Sequence, residues 1–562
     1  MPKKRAIEHP HVERAEAYVA DVQSGRRPAC QWERLACERW LRDRQSEKAG
    51  PYRFEPLMAE RVCRFIERLP HTKGAWAARH EALRLEGWQC FVLANAYGWL
   101  RRSDGKRRFR EVVTIVPRKN GKSILSAGVG LYMLCADGEH GAEIYSGAGT
   151  EKQAWEVFRP ARMMAEGRPD LRQHFGIQVN SSNINIVGNG SRFTPMIGKP
   201  GDGAMPSCAI VDEYHEHDSP DQYDTMLTGM GAREQPMMWV ISTAGDNLAG
   251  PCFDKILTCR KILEGVIEDD EKFFIEYTVD PEDDWTAPEA ILKANPNLDV
   301  SVSSEFLLAR QREAVRNTRE QGRFKTKHLN LWVNARAAFF NMQSWAACRN
   351  PDLQLEDFEG QRCNIALDLA SKQDIAAMQI LFDLGDGSFA TFGRYYLPEE
   401  IVEEAGKDHY RGWALSDPPK LILTQGNMID FERIEEDLDD IRRRFTVEEI
   451  TFDPAQATML MTRLMAKGAK VSEFQQTAAN FTEPMKQVAA LIDAGRLKHN
   501  ADANDPMTWM MSNVTARLDG KDQVFPRKER PENKIDGPIA LIMTMRLAMI
   551  EQPQFNVATL IG

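Results

Sequence analysis

The chain has 562 residues, 43% of them hydrophobic, ample for packed cores in about two to four domains. Its net charge of −10 gives no global support for a nonspecific nucleic-acid binder, so any DNA contact has to come from local patches. The ten cysteines are scattered without a CxxC pair, which argues against a zinc ribbon, and neither a secretory signal nor a membrane-length apolar run is present, so a soluble intracellular protein is expected.

Residues 1–75 are charged and helical in pattern (ERAEAYVADV, WERLACERWLRDR, EPLMAERVCRFIERL), broken at 25–28 and at Gly50-Pro51, and read as a helical N-terminal region. In LRLEGWQCFVLANAYGWL, Gln89 stands ahead of an apolar helix, where its two-faced amide could serve an adenine edge. An ordinary capped helix with a buried tryptophan accounts for the same pattern.

Next, Val112, Val113, Thr114, Ile115 and Val116 read as a buried strand, and the apolar-spaced run after Ser123 reads as a helix. Between them lies PRKNGKS. A strand, a tight loop and a helix opening on Gly-Lys-Ser is the geometry that cradles nucleotide phosphates. Gly121 lets the backbone approach, Lys122 brings positive charge to the β and γ phosphates, and the Ser123 hydroxyl can ligate Mg²⁺. The usual first glycine of such a loop is missing, with Val116 in its place.

A second strand, 143–146, precedes a small-residue turn and a helix, as expected for the next unit of an α/β sheet. The strand 208–211 then ends in Asp212-Glu213, at the position where open α/β sheets place ligands. Asp212 can hold Mg²⁺ through water, and Glu213 can deprotonate the attacking water. A further strand, 238–241, ends in Ser242-Thr243-Ala244-Gly245, small hydroxyl residues that can sense the γ-phosphate. The joint order of these three strand ends points to an ATPase.

The tail of the next helical region, ARQREAVRNTREQGRFKTKHLN, is densely basic, either as a solvated face or as a DNA- or subunit-facing one. Arg192, Lys199, Arg233 and the 310–323 tail are candidates for an arginine finger acting on a neighbouring subunit's ATP, and the sequence does not choose among them. A composition change over 337–357 marks a hinge into a second domain.

That domain opens with a strand over 364–367 ending at Asp368, followed by a second, antiparallel strand. Asp453 ends another strand, in TFDPAQA, and Asp536 lies in the first turn of a helix. Three acids from separate element ends are what a two-metal phosphodiester nuclease needs, because carboxylates hold the cations that activate water and neutralise the leaving oxygen. Each aspartate taken singly also fits a cap or turn. Lys486, Arg496, Lys498, Arg527, Lys528 and Lys534 are candidate phosphate contacts, with surface solubility as the plainer account.

PRKNGKS, AIVDEYHEH and ISTAG, followed by IALDLA, TFDPAQA and KIDGPIALIM, resemble the large terminase subunit of tailed bacteriophages, over roughly residues 85–546. FQQTAANFTEPMKQVAALIDAGRLKH and WMMSNV resemble it too. The resemblance implies an α/β protein with an N-terminal P-loop ATPase domain of the additional-strand type, built on a mostly parallel central sheet, and a C-terminal RNase H-like nuclease domain. The expected boundaries are 1–75 for the helical region, 76–336 for the ATPase, 337–357 for the hinge and 358–562 for the nuclease. It also implies that a nonglycine at Val116 is usual and that an arginine such as Arg118 handles nucleotide. Gln89 would contact adenine, and Arg118, Lys119, Asn120, Gly121, Lys122, Ser123, Asp212 and Glu213 would serve ATP and Mg²⁺, with Ser242 and Thr243 in coupling. Asp368, Asp453 and Asp536, with Asp374 assisting, would hold Mg²⁺ or Mn²⁺ in the nuclease, as a pair of ions. Implied partners are double-stranded DNA, a small terminase subunit and the portal of the procapsid, with the protein working as a homo-oligomeric ring, a pentamer, in the host cytoplasm and docked on the procapsid while packaging. The competing expectation is a helicase- or restriction-type translocase fused to a nuclease, which should carry a second recombinase-like lobe; no such lobe is read before Ala337.

Overall fold

In a computed structural model, residues 8–148, 150–197, 203–248, 250–333, 338–369, 374–402, 408–518, 523–528 and 533–550 are described. The chain divides into two compact units, Met1–Arg316 with Arg323–Val333, and Asn317–Gly322 with Asn334–Gly562.

In the first unit, β1 (Tyr52–Phe54) and β2 (Trp99–Arg101) pair antiparallel beside an eight-stranded sheet. The sheet strands are β3 (Glu111–Ile115), β4 (Glu143–Ala148), β5 (Ile177–Val179), β6 (Ile184–Ile186), β7 (Ser191–Ile197), β8 (Cys208–Asp212), β9 (Met237–Ser242) and β10 (Lys272–Glu276). Their order is β10-β3-β9-β8-β4-β7-β6-β5, with every neighbour from β10 to β7 parallel and the β7-β6-β5 end antiparallel. β9 thus stands between the strand that leads into PRKNGKS and the strand that ends in Asp212, the added strand expected from the family resemblance. Strands β3, β8 and β9 are buried along their whole length, which is why they read as continuous apolar runs rather than as alternation.

The helix Lys122–Cys135 packs on this sheet closely enough that only glycine fits at Gly130, where an added Cβ would lie 2.6 Å from Phe193 Cε1. The N-terminal helices Pro10–Gln23, Gln31–Ser46 and Pro56–Ile66 contribute Val19, Trp40 and Ile66 to the same hydrophobic core as the sheet.

The second unit is built on β11 (Arg362–Asp368), β12 (Ala376–Asp383), β13 (Phe389–Pro398), β14 (Ile422–Thr424), β15 (Thr446–Phe452), β16 (Val471–Glu473) and β17 (Leu497–Lys498). The order is β14-β13-β12-β11-β15-β16, with β17 beside β13; β11, β12 and β13 alternate in direction, and β15 and β16 run parallel to β11. The antiparallel start is as the sequence indicates. Successive residues of a strand face opposite sides, and here both sides are covered. Ala366, Ala377 and Leu381 enter one core with the helices Ala478–Asp493 and Asp536–Met549, while Ile365, Leu367 and Ile380 enter another with Leu438 and Leu464. Within the stretch 337–357, the helix Met342–Cys348 buries Trp345 and Cys348 in the first of these cores. A hairpin, β18 (Thr515–Leu518) with β19 (Val524–Arg527), completes the unit's described strands.

Candidate functional site

The C-terminal ends of β3, β8 and β9 assemble one site. After β3 the chain enters the loop with Lys119 at φ 71° and Gly121 at φ 81°, and the helix begins at Lys122. Both residues are in the left-handed region, which turns the backbone sharply and is strained for Lys119. Arg118 and Lys119 extend to solvent, whereas Asn120 is fully buried. Lys122 is 6% exposed, and its Nζ lies 3.0 Å from Glu213 Oε1. Beyond this close pair, Lys122 Nζ and Glu213 Oε2 are buried with no further hydrogen bond. Glu213 itself sits at φ 50°, a left-handed conformation that costs a non-glycine residue about 1–3 kcal/mol and marks a functional turn. Ser123 Oγ donates to Asp212 Oδ2 at 3.4 Å.

These charges split the acidic pair. Burial pushes Asp212 up to about 7, against the pull of Lys122 and with a further push from Glu213. Burial acts on Glu213 in the same direction, but Lys122, His215 and Arg118 together hold it below the usual glutamate value. Glu213 is therefore ionised at neutral pH and able to accept a proton.

His215 ties this acid to β9. Its Nδ1 lies 3.3 Å from Glu213 Oε2 and 3.0 Å from Ser242 Oγ, and its backbone N–H donates to the same Ser242 oxygen at 3.0 Å. Thr243 Oγ1 stands 3.4 Å from the ring nitrogens. Burial lowers the His215 pKa, while the neighbouring Glu216 and Glu213 pull it up. Sequence reasoning passed over His215; its signal was a histidine two residues beyond the acidic pair. Gln89 spends Oε1 on the Glu86 backbone N–H at 2.9 Å, a helix cap, while its Nε2 lies 3.5 Å from where a Cβ on Gly121 would stand. Cap and loop neighbour are thus both true of it. Asn120 accepts from Asn297 N at 2.9 Å and donates to Asn295 Oδ1 at 2.9 Å, two residues the sequence did not single out.

A buried lysine paired only with a carboxylate, beside a left-handed Gly-Lys turn, fits nucleotide phosphates, with Ser123 and Asp212 placed for a divalent cation. Of the finger candidates, Arg192, the second residue of β7, lies opposite Glu143, the first residue of β4, and pairs with it at 3.3 Å; this is the opposite end of the strands from the loop. Arg233 pairs with Glu139 at 3.3 Å and donates to Gly141 O at 3.0 Å, also before β4 begins. Arg310 pairs with Glu313 on its own helix, and Lys199 lies outside the described residues.

The second unit gathers the other acids. Asp368 ends β11, Asp453 follows β15, and Asp536 opens the helix Asp536–Met549. Burial, then the charge of Asp536, and after it Asp453 and Asp374 push Asp368 well above the usual carboxylate range; Gln476 Nε2, donating to Asp368 Oδ1 at 3.1 Å, opposes them. Burial and Asp374 push Asp536 up to about 7, against Lys534 and Lys528. These charge effects place the acids in one neighbourhood, although among the described residues no group of three or more His, Cys, Asp or Glu is arranged as a ready-made cation cage. A set of hard oxygen donors held in repulsion fits divalent cations.

Lys534 Nζ lies 2.6 Å and Lys528 Nζ 3.9 Å from Asp374, so two of the six candidate phosphate contacts stand at the acids. Lys486 pairs with Glu483, and Arg527 ends β19. Arg496 and Lys498 flank the β12–β13 turn, at the opposite end of the sheet from Asp368. The sequence stretch FQQTAANF carries no local signal that singles out Gln476 as a site residue.

Residues 87–260 match the family model described as terminase large subunit, ATPase domain, and residues 266–552 match that of its endonuclease domain. Protein YmfN of Escherichia coli (strain K12) is 42% identical over 369 residues, 63% of this chain and 80% of that protein. The terminase, large subunit, of Enterobacteria phage HK97 is 25% identical over 505 residues, 87% of this chain and 95% of the phage protein. Among solved structures, the crystal structure of the HK97 bacteriophage large terminase aligns over 87% of this chain and 99% of its own at 24% identity, with a TM-score of 0.42.

Proposed function

The chain belongs to the terminase large subunit family, whose ATPase and endonuclease domains package phage DNA and cut its concatemers, and we propose that its two candidate sites divide that work. Nucleotide and divalent metal use follow from the two domains, and the protein works with DNA and the packaging machinery. Among the described residues no helix is long and apolar enough to cross a membrane. The ATPase is assigned to 76–336 and the nuclease to 358–562, with 1–75 as a helical region and 337–357 as the join.

At the ATPase site, Gly121 and the loop N–H groups bind the phosphates, Arg118, Lys119 and Asn120 shape the loop, and Gln89 faces the adenine. Lys122 leaves Glu213 for the phosphate oxygens. Glu213, freed of its lysine, orients the attacking water and takes its proton. Ser123 and Asp212 would hold Mg²⁺, which neutralises phosphate charge when bound. Ser242 and Thr243, in contact with His215, register departure of the γ-phosphate, so ATP and ADP favour different arrangements of the strand ends. The carrying observation is the buried Lys122–Glu213 pair, 3.0 Å apart and without other hydrogen bonds at Lys122 Nζ, which makes phosphate binding and release of the base one event.

At the nuclease site, Asp368, Asp453 and Asp536 would hold a pair of Mg²⁺ or Mn²⁺ ions, which activate water and stabilise the leaving oxygen when bound. Gln476 fixes the rotamer of Asp368, and Lys534 holds Asp374. DNA is gripped through its phosphates and therefore in a salt-dependent way, since a motor that moves along DNA cannot depend on one sequence. The working assembly is a homo-oligomeric ring, a pentamer, docked on the portal of a procapsid in the host cytoplasm and loaded by a small terminase subunit. The test is ATP-dependent protection of DNA inside purified procapsids. Protection should vanish with Glu213→Gln, and protection that survives this change removes Glu213 as the base.

A further inference from the structure

Residues 327–333 end the first unit's chain and are gripped from two sides of the ATP site. From the phosphate loop, Arg118 N donates to Lys327 O at 3.0 Å. Asn120 Nδ2 donates to Asn295 Oδ1 at 2.9 Å, and Asn295 Nδ2 passes the contact on to His328 O at 2.9 Å. From the end of β9, Ala244 N donates to Asn330 Oδ1 at 2.6 Å and Val333 N donates to Gly245 O at 3.3 Å. Asn330 Nδ2 also donates to Tyr277 O at 2.8 Å, just past β10, and Thr278 Oγ1 donates to Leu329 O at 3.0 Å.

Three features set this apart from ordinary packing. Asn330 is 1% exposed with both ends of its amide bonded to backbone, so it has one allowed position. It sits at φ 58°, a left-handed conformation that asparagine and aspartate tolerate better than other side chains. The grip also consists of directional amide bonds to the phosphate loop and to the turn after β9. Apolar contacts slide with little change in energy, whereas a buried hydrogen bond is lost when its partners part. Gly245 adds a packing route: a Cβ there would lie 3.1 Å from both His215 Cβ and Trp332 Cζ3, so the strap packs directly against the turn that touches the Glu213 relay.

We propose that residues 327–333 are a strap that reads the ATP site, with Asn295 and Asn330 as positioning residues. They hold the phosphate loop and the turn 242–245 in one frame for hydrolysis, and they carry the relative movement of the two into the strap when the γ-phosphate leaves. The inference rests on the assignment of Lys122, Glu213 and Ser242 to ATP turnover.

Hydrogen exchange of the full-length protein, followed for peptides covering 327–333 with a nonhydrolysable ATP analogue and with ADP, tests it directly. Exchange of the strap should differ at least about threefold between the two states. Asn330→Asp keeps the left-handed preference and the acceptor for Ala244 but loses the donor to Tyr277. It should lower kcat for ATP about tenfold with KM within about twofold, and abolish the exchange difference. Asn295→Asp should act in the same direction, and plasmid cutting by both variants should stay at the level of the unmodified chain, showing that they are folded. Strap exchange equal in the two nucleotide states overturns the proposal. So does an unchanged kcat in both variants, or a collapse of kcat, KM and plasmid cutting together, which would make the asparagines merely structural. Retention of ATP turnover by Lys122→Ala would instead remove the ATPase assignment beneath it.

Discussion

The two acidic sites solve the same problem, crowded carboxylates in a buried place, in opposite ways. The ATPase site keeps a cation inside the set: Lys122 lies 3.0 Å from Glu213, and the pair separates into a depressed Glu213 and an Asp212 pushed up to about 7. In the nuclease site the lysines pair with Asp374, and Asp368 and Asp536 are still both pushed up by burial and by other acids. An internal lysine leaves a site ready for an anion that can draw it away. Acids facing acids leave a site that waits for a divalent cation.

The largest expected effects test whether the sites are separable. Asp368→Ala should reduce Mg²⁺- or Mn²⁺-dependent plasmid cutting by at least about 10³-fold while ATP turnover stays within about twofold. Loss of both activities would merge the two sites. Glu213→Gln should lower ATP turnover about 10²- to 10⁴-fold, leave nucleotide binding intact and spare plasmid cutting.

A pH scan sharpens the comparison further. Asp536, up at about 7 in the fold against an ordinary 3.8, binds its proton more tightly folded than unfolded. Stability from this group is therefore greatest at acid pH and falls as pH rises from about 4 through about 7. In EDTA the nuclease unit's melting temperature should drop by several degrees between pH 5.5 and pH 8. Mg²⁺ should restore it, and Asp368→Asn should raise and flatten the profile. A nuclease-unit melting temperature that rises over that interval would show that the acids are neutralised from within, as in the ATPase site. The smallest expected effect is at Lys534, whose fixed charge beside Asp374 opposes a divalent ion. Lys534→Met should lower the Mg²⁺ concentration for half-maximal cutting about threefold, and an increase would make the lysine a helper of metal binding.

Much of both sites is legible along the chain. PRKNGKS, Asp212-Glu213 and Ser242-Thr243 each lie at the end of an apolar strand, and Asp368, Asp453 and Asp536 lie at the end or start of an element. The predicted strands 208–211 and 238–241 extend by a residue or two to β8 and β9, because burial runs to the strand ends. Residues that act through a distant partner were not legible. Asn295 and Asn297 meet Asn120 across more than 170 positions, |i−j| being 175 and 177, and a lone asparagine carries no periodicity to betray it. Gln476 reaches Asp368 over 108 positions.

By itself the sequence determined the strand, loop and helix of the phosphate site and the chemical types that gather at each strand end, because apolar runs and a Gly-Lys-Ser turn are local properties of the chain. Tertiary structure alone decided the strand order β3-β9-β8, which sets Ser242 between the phosphate loop and Asp212. It also decided that Lys122 neutralises Glu213 while Asp368 faces other acids. Charge interactions depend on distance through space and on burial, and neither exists until the strands have paired.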